Sequence, residues 1–209
     1  MHASTATIYA HRYDAANDER TGILGGSEPG APDTWRFSID VATSWERAAN
    51  EFDLPHTRRV LTRSAIVMSP SPGGAFALLL RLARLGLGGR WGDGRQFVSW
   101  IHDEDWVRAI EWLIEHVELD GPVNVSSPEP LPSFEFMREL RRAAGMPIGL
   151  PATRWMLEAA AFVMRTETEL ILKSRRVVPT RLVESGFSFQ FPSWPAAARD
   201  LVRRRLSRA

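Results

Sequence analysis

The sequence predicts an α/β fold, with strands of a parallel sheet separated by flanking helices and followed by a small mixed, mostly helical C-terminal region. Three observations carry this. Short β-prone runs at residues 3–9, 60–68 and 121–127 alternate with segments whose apolar residues recur at helical spacing. The 60–68 run, Val-Leu-Thr-Arg-Ser-Ala-Ile-Val-Met, is nearly all apolar in its second half, as a strand covered on both faces would be. From Pro151 onward the pattern turns mainly helical, which places a boundary between residues 1–148 and 149–209.

In chain order, Ala3-Ser-Thr-Ala-Thr-Ile-Tyr9 predicts a first strand that runs into a polar loop. Residues 11–34 are turn-rich, with Gly22, Gly25, Gly26, Pro29, Gly30 and Pro32, and predict no regular element. Trp35 to Phe52 has helical spacing: Trp35, Ile39, Ala42, Trp45 and Ala49 form one stripe, and Asp40, Glu46 and Arg47 lie off it. Ser69-Pro-Ser-Pro-Gly-Gly74 ends the second strand, and Ala75 to Leu85 is strongly helix-forming with Gly86 as its stop.

A glycine-dense loop from Gly86 then leads into an apolar run ending at His102. His102-Asp-Glu-Asp105 opens a helix whose apolar positions are Trp106, Val107, Ile110, Leu113 and Ile114. Carboxylates there cap free amides and suit the positive end of the helix dipole. Gly121 to Ser127 predicts a short strand, and Ser133 the N-cap of a helix through Ala144 that Gly145 and Pro147 close. Next come an amphipathic helix from Pro151 to about Lys173 and a short helix containing Arg181, Leu182 and Val183. Phe187, Phe189 and Phe191 alternate with Ser188 and Gln190 as in a half-buried strand, and a last helix runs from Pro195 to about Arg205.

Composition excludes several classes of function. A net charge of +1 argues against nucleic acid or an anionic membrane as the main partner, and Arg203-Arg-Arg205, with no interleaved aromatics, reads as a solvated helix end. No cysteine is present, so disulfides, thiolate metal sites and a cysteine nucleophile are ruled out, and no metal site is expected. Only Lys173 among 26 basic residues is lysine. No apolar run approaches the roughly 20 residues of a membrane span, and no basic stretch with an apolar core opens the chain, so a cytoplasmic location is expected. Without an export signal, Asn124-Val-Ser126 reads as an accidental sequon.

Holding a loop this rich in glycine still costs backbone entropy, which points to a small-molecule cleft that it lines. The loop follows a helix and matches G-x-G-x-x-G in no register, so it predicts a substrate-side wall rather than a phosphate cradle. Arg95 offers a planar fork for carboxylate or phosphate, with Gln96, Ser99, Trp100 and His102 beside it on the wall. Plainer roles are a solvated surface for Arg95 and helix capping for the 102–105 cluster.

Four stretches carry a more specific resemblance: residues 3–12, 92–102 (Gly-Asp-Gly-Arg-Gln-Phe-Val-Ser-Trp-Ile-His), 121–130 and 172–187. Across essentially its whole length the chain resembles the atypical extended short-chain dehydrogenase/reductase family labelled NAD-dependent epimerase-like, of the cell-division-inhibitor-homologue type. The last stretch resembles that subfamily's small C-terminal domain of unknown function. The resemblance implies a Rossmann-like sheet of which residues 3–9, 60–68 and 121–127 are later strands. The dinucleotide-binding half is then expected to be absent here, with an exposed sheet edge covered by a partner or a homo-oligomer. It also implies NAD(P) for the complete protein, not bound by this chain alone, and an unidentified small-molecule substrate.

The wider superfamily uses a Ser or Thr, then Tyr and Lys four residues apart. Thr5 matches the first position, Tyr9 is a weaker catalytic candidate, and Arg63 is a candidate on the cofactor side. The Tyr–Lys pair would fall near residues 38–42, where Ser38 and Ala42 stand, while Tyr9 is followed four residues later by Tyr13 and Tyr13 by Asn17. Two main functions remain open: a truncated NAD(P)-dependent epimerase- or reductase-like protein, or a non-catalytic binding or assembly module that retains the cleft. A half-protein completed by another chain is a third.

Overall fold

The first β-prone run pairs with the sheet only as far as Thr5. In a computed structural model that describes residues 1–28, 33–91, 93–150 and 173–207, β1 (His2–Thr5) gives way to a 3-10 turn over Ala6–Ile8, in which the Thr5 hydroxyl accepts from the amide of Thr7. Helix α1 (Asp33–Asn50) then crosses to β2 (Val60–Ser64) and β3 (Ile66–Met68). The order continues with α2 (Ala75–Arg84), β4 (Phe97–Val98), β5 (Trp100–His102), α3 (Asp103–Glu115), β6 (Gly121–Val125), β7 (Leu131–Pro132) and α4 (Ser133–Ala143). Among the described residues, α5 (Thr180–Glu184) and α6 (Trp194–Leu206) complete it.

Strands β1, β2 and β6 form a parallel sheet in that order, with Thr5 opposite Ser64 and Ser64 opposite Val125. Parallel neighbours need long crossovers, and α1, α2 and α3 supply them. The α/β architecture with a parallel sheet is therefore as expected. The 60–68 run, however, is two strands. At Ala65 the amide still donates to Val125 (3.0 Å), but the next, Ile66, turns to Ser99 (3.4 Å), and β3 pairs in parallel with β5 instead.

Alternation on β5 explains why both faces are covered. Trp100 and Ile101 point to opposite sides: Trp100 joins Phe76, Phe136 and Trp194 beneath α2, α4 and α6, and Ile101 joins Leu113, Val123 and Leu182 beneath α3 and α5. Trp194 stacks on Phe136 at 3.9 Å and meets Trp100 edge-on at 4.9 Å. Truncating any of these rings would cost about 3–5 kcal/mol.

Three expectations are corrected. On α1 it is Glu46 that is buried, whereas Trp45 is 49 % exposed, because Glu46 has a buried arginine partner. Ser133 is the first residue of α4 rather than its cap: its hydroxyl is buried without a partner, while its amide donates to the Gln96 carbonyl (2.8 Å). The Phe187–Phe191 alternation holds in burial but builds no ladder, since the amides of Gln190 and Phe191 both donate to the Asp105 carboxylate at 2.8 Å. Asp105 thus anchors the C-terminal segment rather than capping α3.

The helix expected over 151–173 falls on residues 151–172, outside those described, as do Pro29, Gly30, Pro32 and Gly92. Among the described residues no helix is long and apolar enough to cross a membrane.

Candidate functional site

At the carboxyl ends of β1 and β2 the chain builds a buried polar network. Arg63, in β2, donates from Nε and Nη2 to the two carboxylate oxygens of Glu46 (2.8 and 2.7 Å), and from Nη1 to the Tyr9 hydroxyl (2.9 Å). Tyr9 donates in turn to Asn124 Oδ1 (2.9 Å), whose Nδ2 donates to the Val178 carbonyl (2.9 Å), and Ser4 donates to Glu46 (2.6 Å). Such bidentate pairing is the strong form of the interaction. Burial works against both charges, yet the mutual hydrogen bonds hold the Glu46 carboxyl below its usual range and the Arg63 guanidinium above its own. Burial raises the Tyr9 phenol, and Arg63 offsets only part of this.

These contacts change the reading of two candidates. Tyr9 is 2 % exposed and Arg63 7 %, and each spends its polar atoms inside the protein. They are framework, not groups presented to a substrate or cofactor. Asn124 is likewise buried, which closes its sequon to modification. Thr5 differs: its oxygen accepts from Thr7 (3.2 Å), which leaves the hydroxyl proton to be donated at the strand end.

Nearby, His11 Nδ1 accepts from the amide of Ser174 (2.6 Å), and Lys173 Nζ donates to the Thr7 carbonyl (2.9 Å). Burial, and then the Lys173 charge, lower the His11 pKa, so the imidazole is neutral with its proton on Nε2. Lys173 therefore reaches the strand end from the C-terminal segment.

The glycine loop's five candidates scatter. Arg95 is exposed, with its amide on Asp93 (2.9 Å). Gln96 is buried and donates to the Trp91 carbonyl (3.0 Å). Ser99 accepts from Val177 N (2.8 Å), Trp100 donates to the Glu129 carbonyl (3.2 Å), and His102 bridges Glu104 N and Asp200 (3.2 Å each) while stacking on Phe191. These last three are fully enclosed and hold β5 to the C-terminal segment; they do not line an open wall.

A dinucleotide phosphate does not fit the loop either. A Cβ at Gly89 would lie 2.3 Å from the Leu150 carbonyl oxygen, and Leu150 donates back to Gly86 (2.7 Å), so at Gly89 the missing side chain admits protein backbone, not a ligand. Gly86, at φ +75°, is the expected stop of α2.

What sequence reading missed is an apolar cavity of about 260 Å³ in front of this loop. It lies between β3 (Ile66, Met68), α2 (Leu78, Leu82), Trp91 of the loop and Val98 of β4. Its signal was present in α2, where Leu78 and Leu82 stand four apart on a flank beside the core stripe of Phe76, Leu79, Leu80 and Ala83.

Comparison with known proteins fits this architecture. Residues 152–201 match a family described as a domain of unknown function, DUF1731. An epimerase family protein of Staphylococcus epidermidis is 35 % identical over 167 residues, 80 % of this chain and 54 % of that protein. One from Mycobacterium tuberculosis is 33 % identical over 189 residues, 90 % of this chain and 58 % of its own length. The chain is thus similar to epimerase family proteins. The chain spans about half the length of the curated relatives it matches. Among solved structures, human epimerase family protein SDR39U1 with NADPH superposes with a TM-score of 0.81 at 28 % identity, covering 96 % of this chain and 64 % of that one. A nucleoside-diphosphate sugar epimerase from Corynebacterium glutamicum shares the fold, with a TM-score of 0.71 at 24 % identity over 95 % of this chain and 36 % of its own.

Proposed function

We propose that these residues form the substrate-side part of an NAD(P)-dependent epimerase- or reductase-like protein acting on a small molecule. The observation that carries this reading is the match over 96 % of the chain to an NADPH-bound epimerase family structure. The strand ends support it, since ligands of open α/β sheets bind beyond the carboxyl ends of the strands, where Thr5 keeps a hydroxyl proton to donate to a carbonyl oxygen. The cofactor supplies hydride when bound. Because the glycine loop is closed at Gly89 by the Leu150 carbonyl, this reading does not place its pyrophosphate there.

Calorimetry tests the assignment. The 209-residue chain is expected to bind NADPH no tighter than about 1 mM, and a chimaera joining it to the N-terminal region of human SDR39U1 is expected to bind in the micromolar range. Micromolar binding by the chain alone, or a folded chimaera that does not bind, overturns the reading. The missing Tyr–Lys pair favours a second reading, a non-catalytic binding module. That module would bind NADPH in the chimaera yet never oxidise it in the presence of any carbonyl ligand.

A further inference from the structure

We propose that the Nε2–H of His11 is a substrate-binding group: it donates a hydrogen bond to a carbonyl oxygen of the ligand, beside the rings of Tyr13 and Trp35. The inference rests on the proposed function in calling the ligand a substrate with a carbonyl; binding itself needs no cofactor.

The imidazole is held from several directions. Its Nδ1 accepts from the amide of Ser174 (2.6 Å), far along the chain. Its own backbone amide donates to Glu28 Oε1 (2.8 Å), and the other oxygen of that carboxylate takes the amide of Gly26 (2.6 Å). The ring meets Tyr13 edge-on and Trp35 at a tilt, with both centroids 5.0 Å away. Segments 11–13 and 26–28, helix α1 and residues 173–174 thus converge on one side chain, and fixing them costs entropy. A histidine that merely faces water gains nothing from such ordering.

What this ordering leaves over is one donor. An amide on Nδ1 fixes the tautomer, so the proton sits on Nε2, and among the described residues Nε2 makes no hydrogen bond. His102 shows the framework alternative, since both of its nitrogens are engaged, by the Glu104 amide and by Asp200 (3.2 Å each). His11 is half-buried, and its Nε2, unlike the Trp91 nitrogen, is not among the enclosed atoms left without a partner, so it opens to solvent. Burial and then the Lys173 charge keep the ring neutral. A neutral N–H held in place polarises a carbonyl oxygen without having to reorganise.

The surroundings suit such a ligand. His11 follows β1 beyond its carboxyl end, the side on which ligands of open α/β sheets bind. Lys173, next to the Ser174 that holds the imidazole, reaches the Thr7 carbonyl (2.9 Å) just past Thr5. Tyr13 is 39 % exposed and Trp35 partly so, which leaves ring surface for an apolar body. Burial raises the Tyr13 phenol, the Asp93 charge adds to this and the Arg95 charge opposes it, so the exposed end of the glycine loop borders the same site.

The probes are acetophenone, which joins a ring to a carbonyl, and ethylbenzene, which lacks the oxygen. Nitrogen NMR of the imidazoles in the whole chain, without NADPH and at neutral pH, is expected to show His11 uncharged with Nδ1 unprotonated. Acetophenone should then shift its Nε2, and ethylbenzene should not. His11→Asn keeps an oxygen for the Ser174 amide and removes the donor. Followed at the Trp35 indole, it should weaken acetophenone about tenfold and leave ethylbenzene unchanged, a selectivity that general loss of structure would not give. Tyr13→Ala should weaken both probes. A protonated Nδ1, an Nε2 that both probes or neither probe shifts, or equal effects of His11→Asn on the two would overturn the inference. A chain whose His11 answers to acetophenone while its chimaera ignores NADPH would sink the proposed function alone. A chimaera that binds NADPH around an unresponsive His11 would sink only this inference.

Discussion

At Tyr9 and at Trp91 the chain buries the same kind of group, an aromatic ring carrying one hydrogen-bonding atom, and treats the two oppositely. Tyr9 is 2 % exposed with its hydroxyl fixed between Arg63 and Asn124; Trp91 is 3 % exposed with its nitrogen buried and unpaired. Equal burial therefore says little about role; what separates the two rings is whether the polar atom has been satisfied from within. Around Tyr9 every polar atom with a shown contact is spent on neighbours, so mutations there should act on stability. Around Trp91 the unspent atom leaves less hydrogen bonding for a mutation to remove.

The sharpest way to break that contrast is at the charge beneath Tyr9. Arg63→Met leaves the Glu46 carboxylate buried without its bidentate partner and should cost about 3–5 kcal/mol in urea unfolding. Adding Glu46→Leu should recover part of this, because removing both charges also removes the desolvation penalty. A double variant no better than the single one would mean that the pair does more than satisfy itself. Next in size is Asp105→Asn, which deprives the amides of Gln190 and Phe191 of one carboxylate acceptor; a loss of about 2–3 kcal/mol is expected, with faster hydrogen exchange confined to residues 187–191.

Much of this contrast was hidden from sequence for a definable reason. Element positions were legible because period and punctuation were clean: α2 ends at Gly86, α3 opens at Asp103, and α6 begins at Trp194, one residue before the expected Pro195. Glu46 was misassigned because hydrophobicity stood in for geometry. Ile39, Ala42 and Glu46 lie three and four residues apart on one stripe, but a carboxylate there makes sense only once Arg63 is known to face it from β2. The 187–191 alternation failed for the same kind of reason, since Asp105, a distant side chain, took the amides a neighbouring strand would have used. Trp100 and His102 were expected to face a ligand because polar and aromatic residues near glycines look functional; their partners, Trp194 and Asp200, come from the far end of the chain.

A smaller effect belongs to the paired ring itself. Tyr9→Phe deletes the hydroxyl and leaves Asn124 Oδ1 without its donor and Arg63 Nη1 without this acceptor, for a loss of about 1–2 kcal/mol. It should also alter the pH dependence. Burial raises the Tyr9 pKa in the folded chain, so its protonated form contributes fully below the unfolded value near 10 and that contribution is lost as pH rises through the folded value. Unfolding midpoints should fall in alkaline solution and fall less steeply in Tyr9→Phe. Some slope should persist, because burial raises Tyr13 in the same direction.

The smallest effect is the most telling. Trp91→Phe also removes one buried polar atom, but one that makes no hydrogen bond. The lost ring area, which costs stability, is opposed by relief of an unsatisfied N–H, so the net change should stay within about 1 kcal/mol. Set beside Tyr9→Phe, this pair of variants compares the same kind of deletion at two equally buried rings. If Trp91→Phe destabilises the chain as much as Tyr9→Phe does, the indole has a partner in solution and the contrast between the two rings fails at its simplest point. If it leaves stability intact, the nitrogen is unpaired in solution as well, and the two rings differ in the one polar atom that each carries.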